Sequence, residues 1–380
     1  MEDLLRAIAQ NDVPGAIGAF DAAMARGEDP WRVHLDLYPL AQRVLNPPFI
    51  NPHLPKMHAI CREFLPYLEA EDLPALVRVE VGEYARRPLL PETPRADPPR
   101  GAVTFADIEA AVSQGDRAEL AARMAAFDAR QGSHELVRRL ALLGSGYLDS
   151  TLGHAISCTV FILQEMLARS DHDRWPVFAG LAEYFCRGHF EHTPTWRTRE
   201  KHWTAEDLNR EALRAVSAGG VVNLHHTITL YSVDRTRAWL SDEELAHMQD
   251  ACASFMGEKQ ASPVAFETTE TTSPSDYKAF LEVFLGLNAP ATVASLGGLL
   301  GSREERRRLG RYLSKAVCDA YQGEYDPHFL TGLGAALWVI ERFWDQPPIA
   351  YNGLLQYVTY FYRGLQRTKS GASFNRPASR

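Results

Sequence analysis

Histidines are the residues of this chain whose type and spacing could do chemistry. His58-Ala59-Ile60 recurs as His154-Ala155-Ile156 and, loosely, as His226-Thr227-Ile228, each time near the start of an apolar helical stretch. Asp326-Pro327-His328-Phe329-Leu330 echoes Asn51-Pro52-His53-Leu54, just upstream of the first copy. Imidazole is the commonest transition-metal ligand, and several imidazoles on facing helices can make an octahedral or open site. The candidate ligands are therefore His53, His58, His154, His226 and His328. Of these, at least three of His58, His154, His226 and His328 are expected to converge, with His53 in reserve because it shares the Pro-His context of His328. His225 adjoins His226, but helical neighbours point about 100° apart, so His225 reads as an outer or surface residue. The competing reading is structural: duplication also copies a histidine whose ring merely bonds a neighbouring backbone group. Repetition alone leaves both readings open.

Other motifs carry less. His189-Phe190-Glu191-His192 could add ligands or an acid–base pair, or form an exposed loop. Tyr147 and Asp149 could orient the His154 ring through its second nitrogen, and Asp149 could equally cap a helix. The stretch 303–311 holds five arginines interspersed with Glu304 and Glu305, which suits a solvated helix face better than a phosphate site. Gly297-Gly298-Leu299-Leu300-Gly301 lacks the spacing and the lysine of a phosphate loop. No Gly-x-Gly-x-x-Gly follows a strand, so NAD(P)H and flavin find no support. There is no Gly-x-Ser-x-Gly elbow, and no local two-histidine–one-carboxylate spacing.

The elements that must position these residues read as helices almost throughout. Ile8, Ala16, Ile17, Phe20 and Met24 recur at helical spacing, as do Ile108, Val112, Leu120, Met124 and Phe127. Ile8-Ala9-Gln10-Asn11-Asp12 overlays Val112-Ser113-Gln114-Gly115-Asp116. Asn or Gly before Asp suits a helix end followed by the cap of the next helix. Phe284-Leu285-Gly286-Leu287-Asn288-Ala289-Pro290 is a third copy, with Pro290 placed like Pro14 in the following first turn. Blocks close on similar aromatic-basic endings: Glu83-Tyr84-Ala85-Arg86, Glu183-Tyr184-Phe185-Cys186-Arg187 and Thr359-Tyr360-Phe361-Tyr362-Arg363. The expectation is an all-α protein of about four quasi-repeated helical units fused into one helical body. The units are 1–95, 102–190, a short degenerate 200–258, and 275–370, with a disordered tail at 371–380. Pro88 to Arg100 reads as a stiff linker. A second break runs from Ser262 to Pro274, where Val264-Ala265-Phe266 is the one strand-like piece.

Bulk properties exclude several classes. Over 380 residues, 46% are apolar and 23% charged, the balance of an ordinary globular protein. A net charge of −8 argues against a nucleic-acid partner. No run of about 18 apolar residues predicts a membrane span, and the acidic start lacks the basic region of a signal peptide. Cys61, Cys158, Cys186, Cys252 and Cys318 form no Cys-x-x-Cys pair and sit among apolar neighbours, which predicts reduced core thiols and a cytoplasmic location.

At its histidine segments the chain resembles the questin oxidase-like family, whose helical members repeat histidine-bearing helix starts ahead of aromatic-rich endings. Leu152-Gly153-His154-Ala155-Ile156-Ser157-Cys158, with Leu181-Ala182-Glu183-Tyr184-Phe185, carries the likeness best, and Asp326-Pro327-His328-Phe329-Leu330-Thr331-Gly332-Leu333 resembles the last block. The likeness spans most of 50–370 on short motifs. It implies oxygenation of polycyclic aromatic polyketides such as anthraquinones, with His58, His154, His226 and His328 at the family's repeated histidines. The chain departs from that pattern at Thr331, where a lysine is expected, while Lys56 has that spacing after His53.

The leading expectation is a metal-dependent oxygenase, with Fe(II) or another first-row transition metal, acting on a small aromatic or otherwise hydrophobic substrate with dioxygen. It involves neither nucleic acid nor membrane. The alternatives are a non-catalytic helical-repeat scaffold that binds a protein or peptide, and metal-free catalysis in which a histidine takes the proton of an acidic phenol.

Overall fold

The computed structural model describes residues 1–97, 99, 101–169, 172–188, 190, 203–217, 221–257, 263–265, 273–321 and 326–367. Among these the chain is all helical and forms no strand, with β-bridges only at Val44–Leu89 and Asn46–Phe49. Val264 and Ala265 are not strand, and Phe266 lies outside the described residues. So do His189, Glu191, His192, the side chain of Asp149 and the tail 371–380. No helix is long and apolar enough to cross a membrane.

The three-way overlay of helix junctions is visible in the backbone. Asn11, Gly115 and Leu287 each take a left-handed conformation, with φ of 56°, 69° and 51°. The residue after each caps the next helix: Asp12 accepts from the Gly15 amide, Asp116 from Glu119 and Asn288 from Ala291. A left-handed residue ends one helix and a short polar side chain satisfies the first amides of the next. Glycine adopts this geometry without strain, whereas Leu287 holds it against its own Cβ. Capping boxes at Thr104–Asp107, Thr204–Asp207 and Ser302–Glu305 start three further helices.

Two compact units emerge, and their limits cross the sequence blocks. The first comprises 1–59, 84–203 and 232–255; the second comprises 60–83, 204–231 and 256–380. Block 1 is thus divided, because the helix Leu73–Ala85 lies almost wholly in the second unit. The first unit's core is built by Ile108, Leu120, Met124, Leu136, Leu140, Cys158, Ile162, Val177, Leu181 and Phe185. Each large apolar side chain among them contributes about 1.5–3 kcal/mol on leaving water. Here the Trp175–Gly188 helix packs on Arg117–Gln131, and His154–Ala168 packs on Ser133–Ser145. The second contact is close: a Cβ on Gly144 would lie 2.5 Å from the Ala155 carbonyl oxygen. Pro88 to Leu90 is strapped to this unit, the Leu90 amide donating to the Arg43 carbonyl at 2.7 Å.

The second unit packs the His328–Arg342 helix against Pro347–Arg367, with the Phe361 ring tilted against Phe284 and edge-on to Phe329. Its arginine run is not a uniformly solvated face. Arg303 and Arg307 are exposed, but Arg306 is buried beside Glu341, and Arg311 donates to the buried Asp72 at 2.8 Å. All five cysteines are buried and unbridged. Burial pushes the Cys158 thiol up to about 11, with Lys56 pulling the other way, so it has no thiolate character at neutral pH.

Candidate metal and proton-transfer site

Among the described residues three helices begin on a histidine: His53–Cys61, His154–Ala168 and His328–Arg342. The structural equivalent of His154 in the first block is therefore His53, and His58 lies a turn and a half further along the same helix. The His-Ala-Ile likeness is real as text but is out of register in space.

In the first unit, His53 and His154 approach Nε2 to Nε2 at 2.8 Å, with rings nearly perpendicular at 82°. Both are buried. Their outer nitrogens assign the protons. His154 Nδ1 lies 2.6 Å from the Thr151 carbonyl oxygen, which can only accept, so His154 carries its hydrogen there and presents a lone pair at Nε2. His53 Nδ1 lies 2.9 Å from Asn46 Nδ2. The Asn46 amide is oriented in turn by Arg87, which can only donate and does so to Oδ1. Asn46 Nδ2 therefore donates to His53 Nδ1, and His53 Nε2–H donates to His154. One directed chain runs from Arg87 through Asn46, His53 and His154 to Thr151.

One helical turn on, Lys56 Nζ donates to Ser157 Oγ at 3.3 Å, pairing the residues three after each histidine. Upstream, the Tyr184 hydroxyl donates to Asn51 Oδ1 at 3.1 Å, tying a repeat-ending tyrosine to the residue two before His53.

The second unit repeats this logic with a carboxylate. Asp326 Oδ1 accepts from His328 Nδ1 at 2.7 Å and from the His328 amide at 2.9 Å, and Tyr360 donates to Asp326 Oδ2. Burial alone would raise the Asp326 pKa, but the hydrogen bond and charge of His328, with Tyr360, hold it well below the usual carboxylate range. His328 is thereby fixed with its hydrogen on Nδ1. Its ring meets His225 edge-on at 4.8 Å and 70°. His225, expected to be an outer or surface residue, is thus the buried neighbour of His328; His226 is buried in the same unit.

His58 belongs to neither pair. Its ring stacks on His34 at 4.0 Å and its Nδ1 lies 3.2 Å from the Tyr84 hydroxyl. In the first unit it is His53, the reserve candidate, and not His58 that meets His154. Sequence reading did not find Asn46, Arg87, Thr151, Asp326, Tyr360, His34 or Glu165 as site residues. Asp326 and Asn51 were legible through their shared Pro-His context. The others reach their positions only by packing.

The pair can hold a proton or an ion. Two imidazoles bound at right angles to one first-row ion, with bonds of about 2.0–2.1 Å, have nitrogens about 2.8–3.0 Å apart. His154 fits a ligand role as it stands, since its second nitrogen donates to a carbonyl, the usual support for a bound imidazole. His53 fits once the Asn46 amide turns over to accept from Nδ1–H. A cavity of about 550 Å³ in the same unit is lined by Leu40, Leu89, Leu90, Trp175, Asp36 and Arg43 among others, but by none of the histidines. Its size suits a small molecule, yet it does not open onto the imidazole pair. Comparisons of the chain with protein-family models, with curated proteins and with solved structures give no match.

Proposed function

We propose that this chain is a metal-dependent oxidoreductase in which His53 and His154 hold a first-row transition-metal ion, of the Fe(II) type, for dioxygen chemistry on a hydrophobic aromatic small molecule. The observation that carries this reading is the 2.8 Å approach of two buried Nε2 atoms from helix starts a hundred residues apart in sequence. One is already braced by a backbone carbonyl. Bound there, an iron ion would supply coordination positions for dioxygen and substrate oxygen. The chain's own residues would orient the ligands: both rings are buried away from bulk water, Thr151 fixes the His154 tautomer, and the Asn46 amide, once turned over, would accept from His53 Nδ1–H. The aromatic substrate rests on the resemblance of the histidine segments to questin oxidase-like proteins.

A second reading is favoured by Asn46 and Arg87. As they stand, they leave His53 a donor to His154, an arrangement suited to proton transfer without metal. The scaffold reading needs neither ion nor proton.

Elemental analysis and Co(II) uptake of wild type and His154→Ala, beside oxygen consumption with hydroxylated anthraquinones, separate the three. The metal reading expects the variant to lose one ion per chain and the activity. Activity lost from a protein that binds the same metal before and after substitution would favour the proton-transfer reading. Unchanged metal content and no oxygen consumption in either protein would sink both.

A further inference from the structure

A second cluster lies in the first unit away from the His53–His154 pair. His34 and His58 are fully buried, Glu165 is 2% exposed, and one donor atom from each lies within 4.8 Å of the others. The three come from separate helices, Pro30–Ala41, His53–Cys61 and His154–Ala168. Two imidazoles and a carboxylate are the donor set of open non-haem iron sites, and the nitrogens select such metals over magnesium or calcium.

The neighbours define which atoms would bind. Tyr84 sits at His58 Nδ1, which makes Nε2 the ligand atom. Arg169 donates from Nε to Glu165 Oε1 and from Nη1 to the Leu35 carbonyl, and its guanidinium lies 4.5 Å over the Tyr38 ring. The Glu165 carboxylate is therefore held in one orientation, as hydrogen-bonded carboxylate ligands are. The Tyr38 hydroxyl, on a side chain 1% exposed, has no hydrogen-bond partner among the described residues. Its ring is 5.7 Å from His58, and a buried hydroxyl left so costs about 1–3 kcal/mol.

One movement is required. Trp31, His34 and His58 form a stack with successive centroids at 4.0 Å, and the imidazole planes differ by 13°. A ring nitrogen's lone pair lies in the ring plane, so two parallel rings cannot both aim at one ion. His34 must turn about its Cβ–Cγ bond and leave the face of Trp31.

We propose that His34, His58 and Glu165 form a buried site for one first-row transition-metal ion, separate from the His53–His154 pair and independent of its assignment, and that occupancy unstacks His34 from Trp31.

Co(II) titration of the full chain tests this through visible absorption and tryptophan fluorescence. His154→Ala should still bind one Co(II) with a fluorescence change, and Trp31→Phe in that background should keep the ion but lose the change. Glu165→Gln should weaken this binding at least 100-fold. If Glu165→Gln fails to fold by circular dichroism, wild-type stoichiometry decides. Two ions, or one with a Trp31-dependent signal, support the site. One ion without that signal leaves only the His53–His154 reading standing, and no ion overturns both. Unaltered Co(II) affinity in folded Glu165→Gln also overturns the proposal.

Discussion

Asn46→Asp probes the proton assignment on which both readings of the imidazole pair depend. Asn46 donates to His53 Nδ1 at 2.9 Å and accepts from Arg87. A carboxylate can only accept, so the variant drives the His53 hydrogen onto Nδ1. His53 Nε2 then faces His154 Nε2 at 2.8 Å with both atoms as acceptors, because Thr151 retains the His154 hydrogen. A buried acceptor without a donor costs about 1–3 kcal/mol. The ion pair that the introduced carboxylate makes with Arg87 partly hides that cost in the single variant. That pair is present with or without His154, so a double-mutant cycle with His154→Ala removes it. The coupling between the two substitutions should be about 1–3 kcal/mol in urea unfolding at pH 9 with chelator. It should shrink at pH 6, where a proton on His53 satisfies both neighbours. A coupling below about 0.5 kcal/mol under chelator, within ordinary additivity error, would refute the directed chain.

Two further expectations concern the scaffold. Asp326→Asn should destabilise the protein by about 0.5–1.5 kcal/mol at pH 7, the worth of hydrogen bonds to a charged group reduced by solvent screening of a side chain that is 39% exposed. The folded-state Asp326 pKa is depressed, so its contribution is fully present above the ordinary value of about 3.9 and is lost as pH falls toward the folded value. The gap between wild type and variant should therefore narrow in urea melts taken below about pH 5, and a pH-independent gap would contradict the assignment. Gly144→Ala should cost about 1–3 kcal/mol by forcing apart two packed helices, whereas Gly18→Ala, where an added Cβ meets nothing within 4 Å, should be neutral or stabilising. Equal melting temperatures for the two variants would contradict the close approach.

Sequence alone determined the helical class and the junctions. Apolar periodicity and caps act within a few residues, so Asn11-Asp12, Gly115-Asp116 and Leu287-Asn288 reveal the same turn in text and in space. It also marked His154 and His328 as helix starts. What it misplaced was register. His-Ala-Ile matches at His58 and His154, but a helix begins where its first amides find caps and its chain can turn, and Pro52 puts that point at His53. Which imidazoles meet was decided by packing, since partners such as His53 and His154 are set by how their helices cross. His34 and Glu165 carried no local signal because each is one polar residue on an otherwise apolar helix face, and only tertiary structure buries them together. The proton positions followed last, from Arg87 and Thr151, whose fixed donor and acceptor roles acquire meaning only once the fold has set them against Asn46 and His154.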